Sequence, residues 1–164
     1  STLKKINGRM PTGLTGTIVI PQGCEINCDE TFRLSQCTSV VFPEGMTVIP
    51  YNIFGESELR GEVRIPSTVT VIKSSAFNGC KISSVIFPEN LKEMGDRAFS
   101  GCTRLSGTIT IPKKVVRIPE GCFYDCSMLT GVVFHKDVAV IDSKDGATSS
   151  ESASTPISFA VLLR

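Results

Sequence analysis

The sequence predicts a repeat solenoid in which each unit contributes one strand to a parallel β-sheet. The first observation is a set of phenylalanines that recur at nearly constant intervals: Phe32, Phe54, Phe77, Phe99 and Phe123. The second is a set of prolines with the same intervals, each at a fixed distance before one of those phenylalanines: Pro21, Pro43, Pro66, Pro88 and Pro112. Self-similarity at a fixed period of about 20 to 50 residues is the signature of a repeat architecture. We number units 1 to 5 by these prolines, and a sixth unit follows around His135.

Composition agrees with one compact unit and excludes several classes of function. A chain of 164 residues is long enough to bury about 70% of its unfolded surface. The net charge of +1 gives no bulk attraction for nucleic acid or an anionic membrane. No apolar run approaches the roughly 18 residues that a membrane-spanning helix needs.

The strand of each unit is indicated by its apolar spacing and by the proline that follows it. In ISSVIFP, three apolar residues share one face: Ile82, Val85 and Phe87. Pro88 then ends the strand, because proline has no amide hydrogen for a sheet ladder. About ten residues remain for the return of the chain, which favours a 3₁₀ turn or a short extended piece over a long helix. One unit cannot bury its own apolar edge, so neighbouring units are expected to stack and share a core.

Units 1, 3 and 5 carry an extra residue at the start of the strand, in LTGT, LRGE and LSGT, and units 2, 4 and 6 lack it. The additional residue lies beside Gly16, Gly61 and Gly107. A small β-bulge at each of these glycines is the expected cause.

The two ends of the chain depart from the pattern. Residues 1–13 are predicted to be a partial repeat or an N-terminal cap, and residues 14–142 the repeats. Residues 143–164 are predicted to form a Ser/Thr-rich connection and a capping strand that covers the edge of the sheet, in ISFAVLLR.

The repeated unit carries a motif that identifies a family. The lines IPSTVTVIKSSAFNGC and FPENLKEMGDRAFSGC share a strand-ending Ile-Pro or Phe-Pro, two spaced apolar residues and Ala-Phe-x-Gly-Cys. This pattern resembles the BspA-like subclass of leucine-rich repeats over about residues 14 to 142. The resemblance implies a right-handed leucine-rich repeat solenoid of about six repeats, each of about 22–24 residues. Its parallel sheet would line the concave face, with short 3₁₀, irregular or extended segments on the convex side.

Six of the seven cysteines fall on positions of the repeat that are expected to be buried. Cys80, Cys102 and Cys126 each follow the repeated phenylalanine at the same short distance and should form a stacked column. Three others occupy positions held elsewhere by Met, Leu or Ala: Cys24, Cys37 and Cys122. A zinc site that joins the two C-x₃-C pairs is rejected, because four repeats of about 4.8 Å separate them. Cys28 alone lies off the core positions and is predicted to be the most accessible thiol, or to pair with a neighbour.

No catalytic, cofactor-binding or metal-binding residues are predicted, so the chain is expected not to be an enzyme. His135 replaces a strand-ending proline and is expected to be exposed at the edge of the sheet, away from a thiolate partner. The segment DSKDGA lacks the bidentate glutamate that a calcium loop of this type needs.

The candidate partner-binding residues lie between the inward positions of the strands. The central row consists of Val19, Val41, Arg64, Ile86, Thr110 and Val133. The preceding row consists of Thr17, Ser39, Glu62, Ser84, Thr108 and Gly131. From these rows we select as partner-binding Val19, Val41, Glu62, Arg64, Ser84, Ile86, Thr108, Thr110 and Val133. Four apolar residues in a central row that should face water suggest an interface, although the β-propensity of Val and Ile gives an equal explanation.

Four basic residues cluster near the last units: Lys113, Lys114, Arg117 and Lys136. They are interpreted either as a weak patch for an anionic ligand or as an ordinary solvated face, and the second is favoured.

The resemblance implies a cell-surface or secreted protein of the adhesion type, which binds a host or matrix protein or another cell surface. The alternative is a structural spacer segment within a larger solenoid or multidomain surface protein. The central row separates the two hypotheses, because only a binding module needs it.

Overall fold

The computed structural model describes residues 5–6, 13–26, 29, 31–142 and 158–159. Within these ranges the chain consists of β-strands joined by turns, and no helix is present. The strands are β1 (Lys5–Ile6), β2 (Thr15–Val19), β3 (Glu25–Ile26), β4 (Gln36–Val41), β5 (Val48–Ile49), β6 (Arg60–Arg64), β7 (Val71–Ile72), β8 (Lys81–Ile86), β9 (Glu93–Met94), β10 (Gly107–Thr110), β11 (Arg117–Ile118), β12 (Leu129–Val133), β13 (Val140–Ile141) and β14 (Ser158–Phe159).

The strands form two stacks that run along the solenoid. The longer strands pair in parallel as β2 with β4, β6 with β8, and β10 with β12. The shortest strands form the second stack, with parallel pairs β1–β3, β5–β7–β9 and β11–β13. Each long strand is followed by a short one and a turn-rich return, so the predicted parallel β-solenoid is confirmed. The return segments are turns and short extended pieces, as the small number of residues available to them requires.

β14 lies at the edge of the last long-strand pair. It runs antiparallel to β12, with Val132 opposite Phe159 and Val133 opposite Ser158. This is the edge where the sequence places a final strand. The division of the chain at residues 13 and 142 stays a prediction. Several residues at the two ends on which this division depends, including Leu3, Met10 and Leu163, lie outside the described residues.

A stack of aromatic rings forms the centre of the core. Neighbouring rings lie nearly parallel with centroids 5.2–5.7 Å apart, through Phe32, Phe54, Phe77, Phe99 and Phe123. All five side chains are buried, which confirms that the repeated phenylalanine is an inward position. Offset stacking at this separation adds a favourable quadrupole interaction to the burial of the rings.

Each phenylalanine lies in a return arc, which we define as the phenylalanine with the three positions on either side of it. Arc 1 comprises residues 29 and 31–35, and arcs 2 to 5 comprise 51–57, 74–80, 96–102 and 120–126. Alternate amides of arc 3 donate to arc 4: Ser75 to Asp96, Phe77 to Ala98 and Gly79 to Ser100, at 2.7–2.9 Å. Arc 4 donates to arc 5 in the same way. Each of these two arcs therefore directs N–H groups towards the following arc, which presents C=O groups in return.

The irregularities predicted at the glycines of the odd units are present, but the unpaired residue lies in the even strand of each pair and not in the odd one. The strand register shifts directly after Gly16, Gly61 and Gly107. All three glycines have φ near +75°, a left-handed conformation that glycine adopts without a steric penalty. At each shift the ladder passes over one residue of the partner strand: Thr38, Ser83 or Thr130.

The long-strand sheet is divided into pairs, a feature that the sequence analysis does not predict. At the end of each odd strand an isoleucine amide donates to the next unit: Ile20 to Val41, Ile65 to Ile86 and Ile111 to Val133, at 2.9–3.0 Å. The equivalent amides of Phe42 and Phe87 donate to no carbonyl within the described ranges. Accordingly β4 does not pair with β6, and β8 does not pair with β10.

The two kinds of junction also differ in the side chain that precedes the proline. Even units have phenylalanine where odd units have isoleucine before the proline. The ring of Phe42 packs edge-on against Phe54 at 6.0 Å, and that of Phe87 packs edge-on against Phe99 at 5.5 Å. Each break in the long-strand ladder therefore follows a unit in which a phenylalanine ring packs at the strand end.

Candidate functional site

The candidate site is the outward-facing side of the long strands, which we call the sheet face. Its central row is built in register, because Val19 pairs with Val41 and Arg64 with Ile86. Thr110 pairs with Val133 in the last strand pair. The period of the sequence therefore places these residues as neighbours along each pair, while the unpaired junctions interrupt the row twice.

The apolar members of the central row are open to solvent. Their exposed fractions are 63% for Val19, 51% for Val41, and 37% each for Ile86 and Val133. Inward residues of the long strands, such as Val63 and Ile109, are buried. The alternation of a half-buried strand explains both classes, because successive side chains point to opposite faces.

The preceding row is polar and partly ordered by hydrogen bonds. The hydroxyls of Thr17 and Ser39 lie 2.6 Å apart across the first strand pair. Ser84 is half-buried opposite Glu62, and Thr108 is exposed opposite Gly131. Gly131 itself is buried, so this row is not uniformly open to water.

Arg64 and Glu62 form the polar pair that the sequence places at the middle of the sheet face. The Nη2 of Arg64 donates to Glu62 Oε1 at 3.0 Å, and both side chains are half or more exposed. An exposed ion pair of this kind contributes little to stability, so its charges remain available to a partner.

A second group of charges lies where the strands begin, and sequence reasoning missed it. Lys81 Nζ donates to Glu58 Oε1 at 2.5 Å, and Arg60 Nη2 lies 3.8 Å from Glu58 Oε2. The hydrogen bond from Lys81 lowers the pKa of the Glu58 carboxyl, and the charges of Arg60 and Arg104 act in the same direction. The available signal was the interval, since Glu58, Lys81 and Arg104 follow one another at the spacing of the repeat.

The prediction that His135 is exposed at the edge of the sheet is wrong. Its side chain is only 12% exposed, and its Nε2 lies 2.9 Å from the Val115 carbonyl. The amide of Asp137 donates to Nδ1 at 3.2 Å, so the neutral tautomer donates from Nε2 to Val115. The imidazole gains one hydrogen bond to Val115 of the preceding unit and one from Asp137 of its own unit, whereas the proline that it replaces has no side-chain group to make them.

The cysteine column is confirmed, and its thiols are buried donors. The Sγ atoms of Cys80, Cys102 and Cys126 lie 3.1 Å from the carbonyls of Phe54, Phe77 and Phe99 respectively. Cys24, Cys37 and Cys122 are also buried, as predicted. Cys28 lies outside the described residues.

Burial makes these thiols poor nucleophiles. It raises the pKa of Cys80 and of Cys126 to about 12, and it raises the pKa of Cys102 and Cys122 as well. A thiolate is the reactive form of cysteine. The column therefore has the properties of a packing element.

The basic residues near the last units are already partly engaged. Lys114 Nζ donates to Asn90 Oδ1 at 2.7 Å, and Arg117 Nη2 lies 2.6 Å from Asp142 Oδ2. Lys113 and Lys136 are exposed. Two of the four cations thus have polar partners, and their use for an anionic ligand stays a prediction.

Outside the sheet face, the described chain offers little that could hold a metal ion or cross a membrane. Within it, no three His, Cys, Asp or Glu side chains are grouped so that they could hold a metal ion. None of the described segments is a helix long and apolar enough to cross a membrane. A shallow depression of about 270 Å³ lies beside β5, β7 and β9, where Tyr51, Lys73 and Glu93 form part of its wall.

Comparison with known families identifies the repeat. The BspA type leucine rich repeat region matches residues 49–150, in six copies. The chain belongs to the BspA-type leucine-rich repeat family. Members of this family are built from the unit described above, and leucine-rich repeats generally serve as non-catalytic protein-interaction modules. No curated protein matches the chain.

Two solved structures resemble this BspA-type solenoid. A leucine-rich repeat protein from Bacteroides ovatus is 19% identical with a TM-score of 0.57, over 79% of this chain and 43% of its own length. A leucine-rich repeat protein of T. pallidum is 22% identical with a TM-score of 0.59, over 76% of this chain and 66% of its own length. The chain therefore spans less than two thirds of each protein, and the likeness concerns the fold alone.

Proposed function

We propose that this chain is a non-enzymatic, adhesion-type module that binds a protein partner through its sheet face. The observation that carries the proposal is the exposed apolar part of the central row. Sheet positions that face water are usually polar, and contiguous exposed apolar area often marks an interaction surface.

The surroundings of the row support a protein partner. The preceding row consists of small side chains and glycine with one exception, Glu62, so a partner can approach the backbone closely. Arg64 and Glu62 place opposite charges beside the apolar residues. Charges at such a position contribute mainly to specificity and to the rate of association.

The proposed location is the cell surface or the extracellular space, and the proposed partner is a host or matrix protein or another cell surface. The support for both is the family, not the geometry. Brief protease treatment of intact source cells would test the location, since a surface protein would lose this domain while cytoplasmic markers stay intact.

The decisive experiment is a binding screen with a matched pair of variants. Purified chain would be tested against matrix proteins, plasma proteins and host-cell surfaces, together with Ile86→Asp and Val116→Asp. Both substitutions place a carboxylate on an exposed apolar residue, but Val116 lies outside the sheet face. Ile86→Asp should weaken binding about tenfold or more, as expected at the centre of an interface. Val116→Asp should bind as the wild type does.

The outcomes distinguish the proposal from its rivals. Equal binding by all three proteins would place the contact elsewhere on the solenoid. No binding by the wild type to any target would contradict the adhesion proposal and favour a structural spacer within a larger protein.

A further inference from the structure

The charged side chains where the strands begin form a cluster with an excess of positive charge. We call it the strand-start cluster and define it as Glu58, Arg60, Lys81 and Arg104. Its one carboxylate, that of Glu58, accepts a hydrogen bond from Lys81 Nζ at 2.5 Å and lies 3.8 Å from Arg60 Nη2. Arg104 acts on the same carboxylate through its charge. The side chains of Arg60 and Lys81 are 54% and 43% exposed, so a partner can reach them.

The stacking of the repeat brings these charges together. Glu58, Lys81 and Arg104 hold the same position in units 3, 4 and 5, directly before a buried residue of each unit. Units 2 and 6 are also described at this position, where the neutral residues Gln36 and Met128 add no charge. Three cations therefore share one carboxylate, and the cluster has two positive charges in excess.

The charges around the cluster are balanced. The acids on either side of it in the sequence are already paired, Glu56 with Arg33 and Glu62 with Arg64. At the opposite margin of the sheet face, the column directly after the proline position contains two acids and two bases: Gln22, Glu44, Ser67, Glu89, Lys113 and Lys136. An anionic group is therefore attracted to the margin where the strands begin.

The distance between the cluster and the central row restricts what can cover both. β8 begins at Lys81 in the cluster and ends at Ile86 in the central row, a separation of about 16 Å at about 3.3 Å per residue. A molecule that covers both must present carboxylates or other anions at one end and apolar groups at the other. A sulfated glycan supplies the anions but has no apolar side chain to place on Ile86.

We propose that the partner of the sheet face is a protein with an acidic segment, whose carboxylates bind the strand-start cluster while its apolar side chains cover the central row. The inference rests on the proposed function and specifies the class of partner. Hydrogen bonds from Arg60, Lys81 and Arg104 to carboxylates are charge-assisted and stronger than those between neutral groups. Glu58 competes with the partner for these donors, and it holds the cations together when no partner is bound.

Fluorescence polarisation of the full chain at low salt tests the proposal with three labelled probes. They are a random copolymer of glutamate and tyrosine, poly-glutamate and heparin. The wild type should bind the copolymer most tightly, because its tyrosines can cover the central row. Ile86→Ser removes an apolar side chain without adding a charge, so it should abolish the advantage of the copolymer over poly-glutamate.

Three further variants test the charges. Lys81→Gln combined with Arg104→Gln should weaken binding of the copolymer about tenfold, through the loss of two exposed ion pairs. The matched control, Lys113→Gln combined with Lys136→Gln, removes the same charge from the opposite margin and should bind nearly as tightly as the wild type. Glu58→Gln should bind about threefold tighter, because it removes the competing carboxylate. Circular dichroism checks that each variant is folded.

Several results would overturn the proposal. Tighter binding of heparin than of the copolymer would assign the cluster to a sulfated glycan. An equal loss in the two double variants, equal affinity of the wild type for both glutamate polymers, binding of neither polymer, or no gain from Glu58→Gln would each contradict it as well. The adhesion proposal would survive these results, because it depends on a target found in the binding screen and lost in Ile86→Asp, whatever the charge of that target.

Discussion

Phe99, like Phe54, lies where three aromatic rings surround one side chain. Its side chain is fully buried and contacts three rings, those of Phe77, Phe87 and Phe123, with centroids 5.2–5.7 Å away. Rings on both sides are held by their own arcs, so the space left by a smaller side chain cannot collapse completely. Burial of this kind is what makes one repeat depend on its neighbours.

The substitution Phe99→Ala is expected to lower the free energy of unfolding by about 3–5 kcal/mol through loss of burial and creation of a cavity. Urea denaturation followed by circular dichroism measures the change. Tyr124→Ala removes an exposed aromatic side chain one unit away and should change stability by no more than about 0.5 kcal/mol. A loss below about 1 kcal/mol for Phe99→Ala would show that the ring stack is not the core.

The thiols predict how stability depends on alkaline pH. Burial raises the pKa of Cys80 to about 12 in the folded protein, whereas the pKa of a cysteine thiol in the unfolded chain is about 8.5. Between these values the folded state holds more protons, so stability is full below about pH 8.5 and falls as pH rises. Each thiol whose pKa burial raises, such as that of Cys80, should contribute a loss of about 1 kcal/mol per pH unit in this window.

The substitution Cys80→Ser tests this contribution with a residue type that the chain already has at the equivalent position of another unit. Ser57 occupies the same position one unit earlier and is buried beside Cys80, with Oγ 3.5 Å from Sγ. Between about pH 9 and 10 the variant should lose stability less steeply than the wild type, by about 1 kcal/mol per pH unit. Parallel curves for the two proteins would mean that the thiol is not protected from ionisation by folding.

His135 shows where reasoning from repeat position fails at the scale of a residue. Every other unit has proline there, and those five prolines are themselves buried or half-buried. The position predicts where the backbone lies but not where a longer side chain goes. Its two hydrogen bonds, to Val115 and from Asp137, are formed by groups that the periodic pattern does not relate to it.

Among the elements, the odd strands require glycine most clearly, at the positions where the register shifts. Gly61 has φ +74°, and Gly131 lies in the equivalent sheet without a positive φ. A Cβ at Gly61 would meet no atom within 4 Å, so only the backbone conformation opposes a side chain. A Cβ at Gly131 would make an ordinary contact with Thr108, 3.6 Å away.

Gly61→Ala should therefore cost about 1–2 kcal/mol through left-handed backbone strain. Gly131→Ala should be nearly neutral, since both its backbone and its surroundings accept a methyl group. Thermal denaturation of the two variants measures the difference. Equal destabilisation would show that the bulge does not fix the conformation of Gly61.

The elements also show what the sequence could and could not predict. The regular intervals were enough to identify the long strands, the inward phenylalanines and the irregularities at Gly16, Gly61 and Gly107, but not which strand holds the unpaired residue. The breaks between β4 and β6 and between β8 and β10 were not foreseen. Ile and Phe are both apolar, so the sequence pattern does not distinguish them. The structure shows that the strand ladder continues where isoleucine precedes the proline and stops where phenylalanine precedes it.

At the scale of the whole molecule, successive units are joined by strand pairing and by hydrogen bonds between arcs, and the junction between units 4 and 5 lacks the strand pairing. Both strand stacks are interrupted there, since β8 does not pair with β10 and β9 does not pair with β11. Backbone hydrogen bonds between arcs 4 and 5, together with one from Ser106 to Ser83, continue across it. The junction between units 3 and 4 has both strand pairings as well as its arc bonds.

Local opening should therefore begin between units 4 and 5. The amides of Arg97, Phe99 and Gly101 should exchange with solvent about tenfold faster than those of Ser75, Phe77 and Gly79, which make the same bonds at the better supported junction. Residue-resolved hydrogen exchange in dilute protein makes the comparison. Equal rates for the two sets would indicate that the arcs alone determine the cohesion of the solenoid.

For the candidate site, the sequence predicted where the residues of the sheet face lie better than it predicted which charged groups interact. The rows of the sheet face followed from the strand period, and their register came from the same intervals. The charged group around Glu58 was missed, because its members attract one another only once three successive units are stacked. What binds to the face depends on a partner whose shape the repeat does not encode.

The alternation of isoleucine and phenylalanine before the prolines also defines how this protein can change in length. Ile-Pro recurs at Pro21, Pro66 and Pro112, with one Phe-Pro between each pair, so the complete period is two units. Deletion of units 3 and 4 together would place unit 2, which has Phe42 before its proline, directly before unit 5, which has Ile111 there. The alternation of phenylalanine and isoleucine would remain intact. Deleting one unit alone would set two strands of the same kind side by side. Lengthening or shortening of the array by natural duplication or by engineering should therefore succeed in blocks of two.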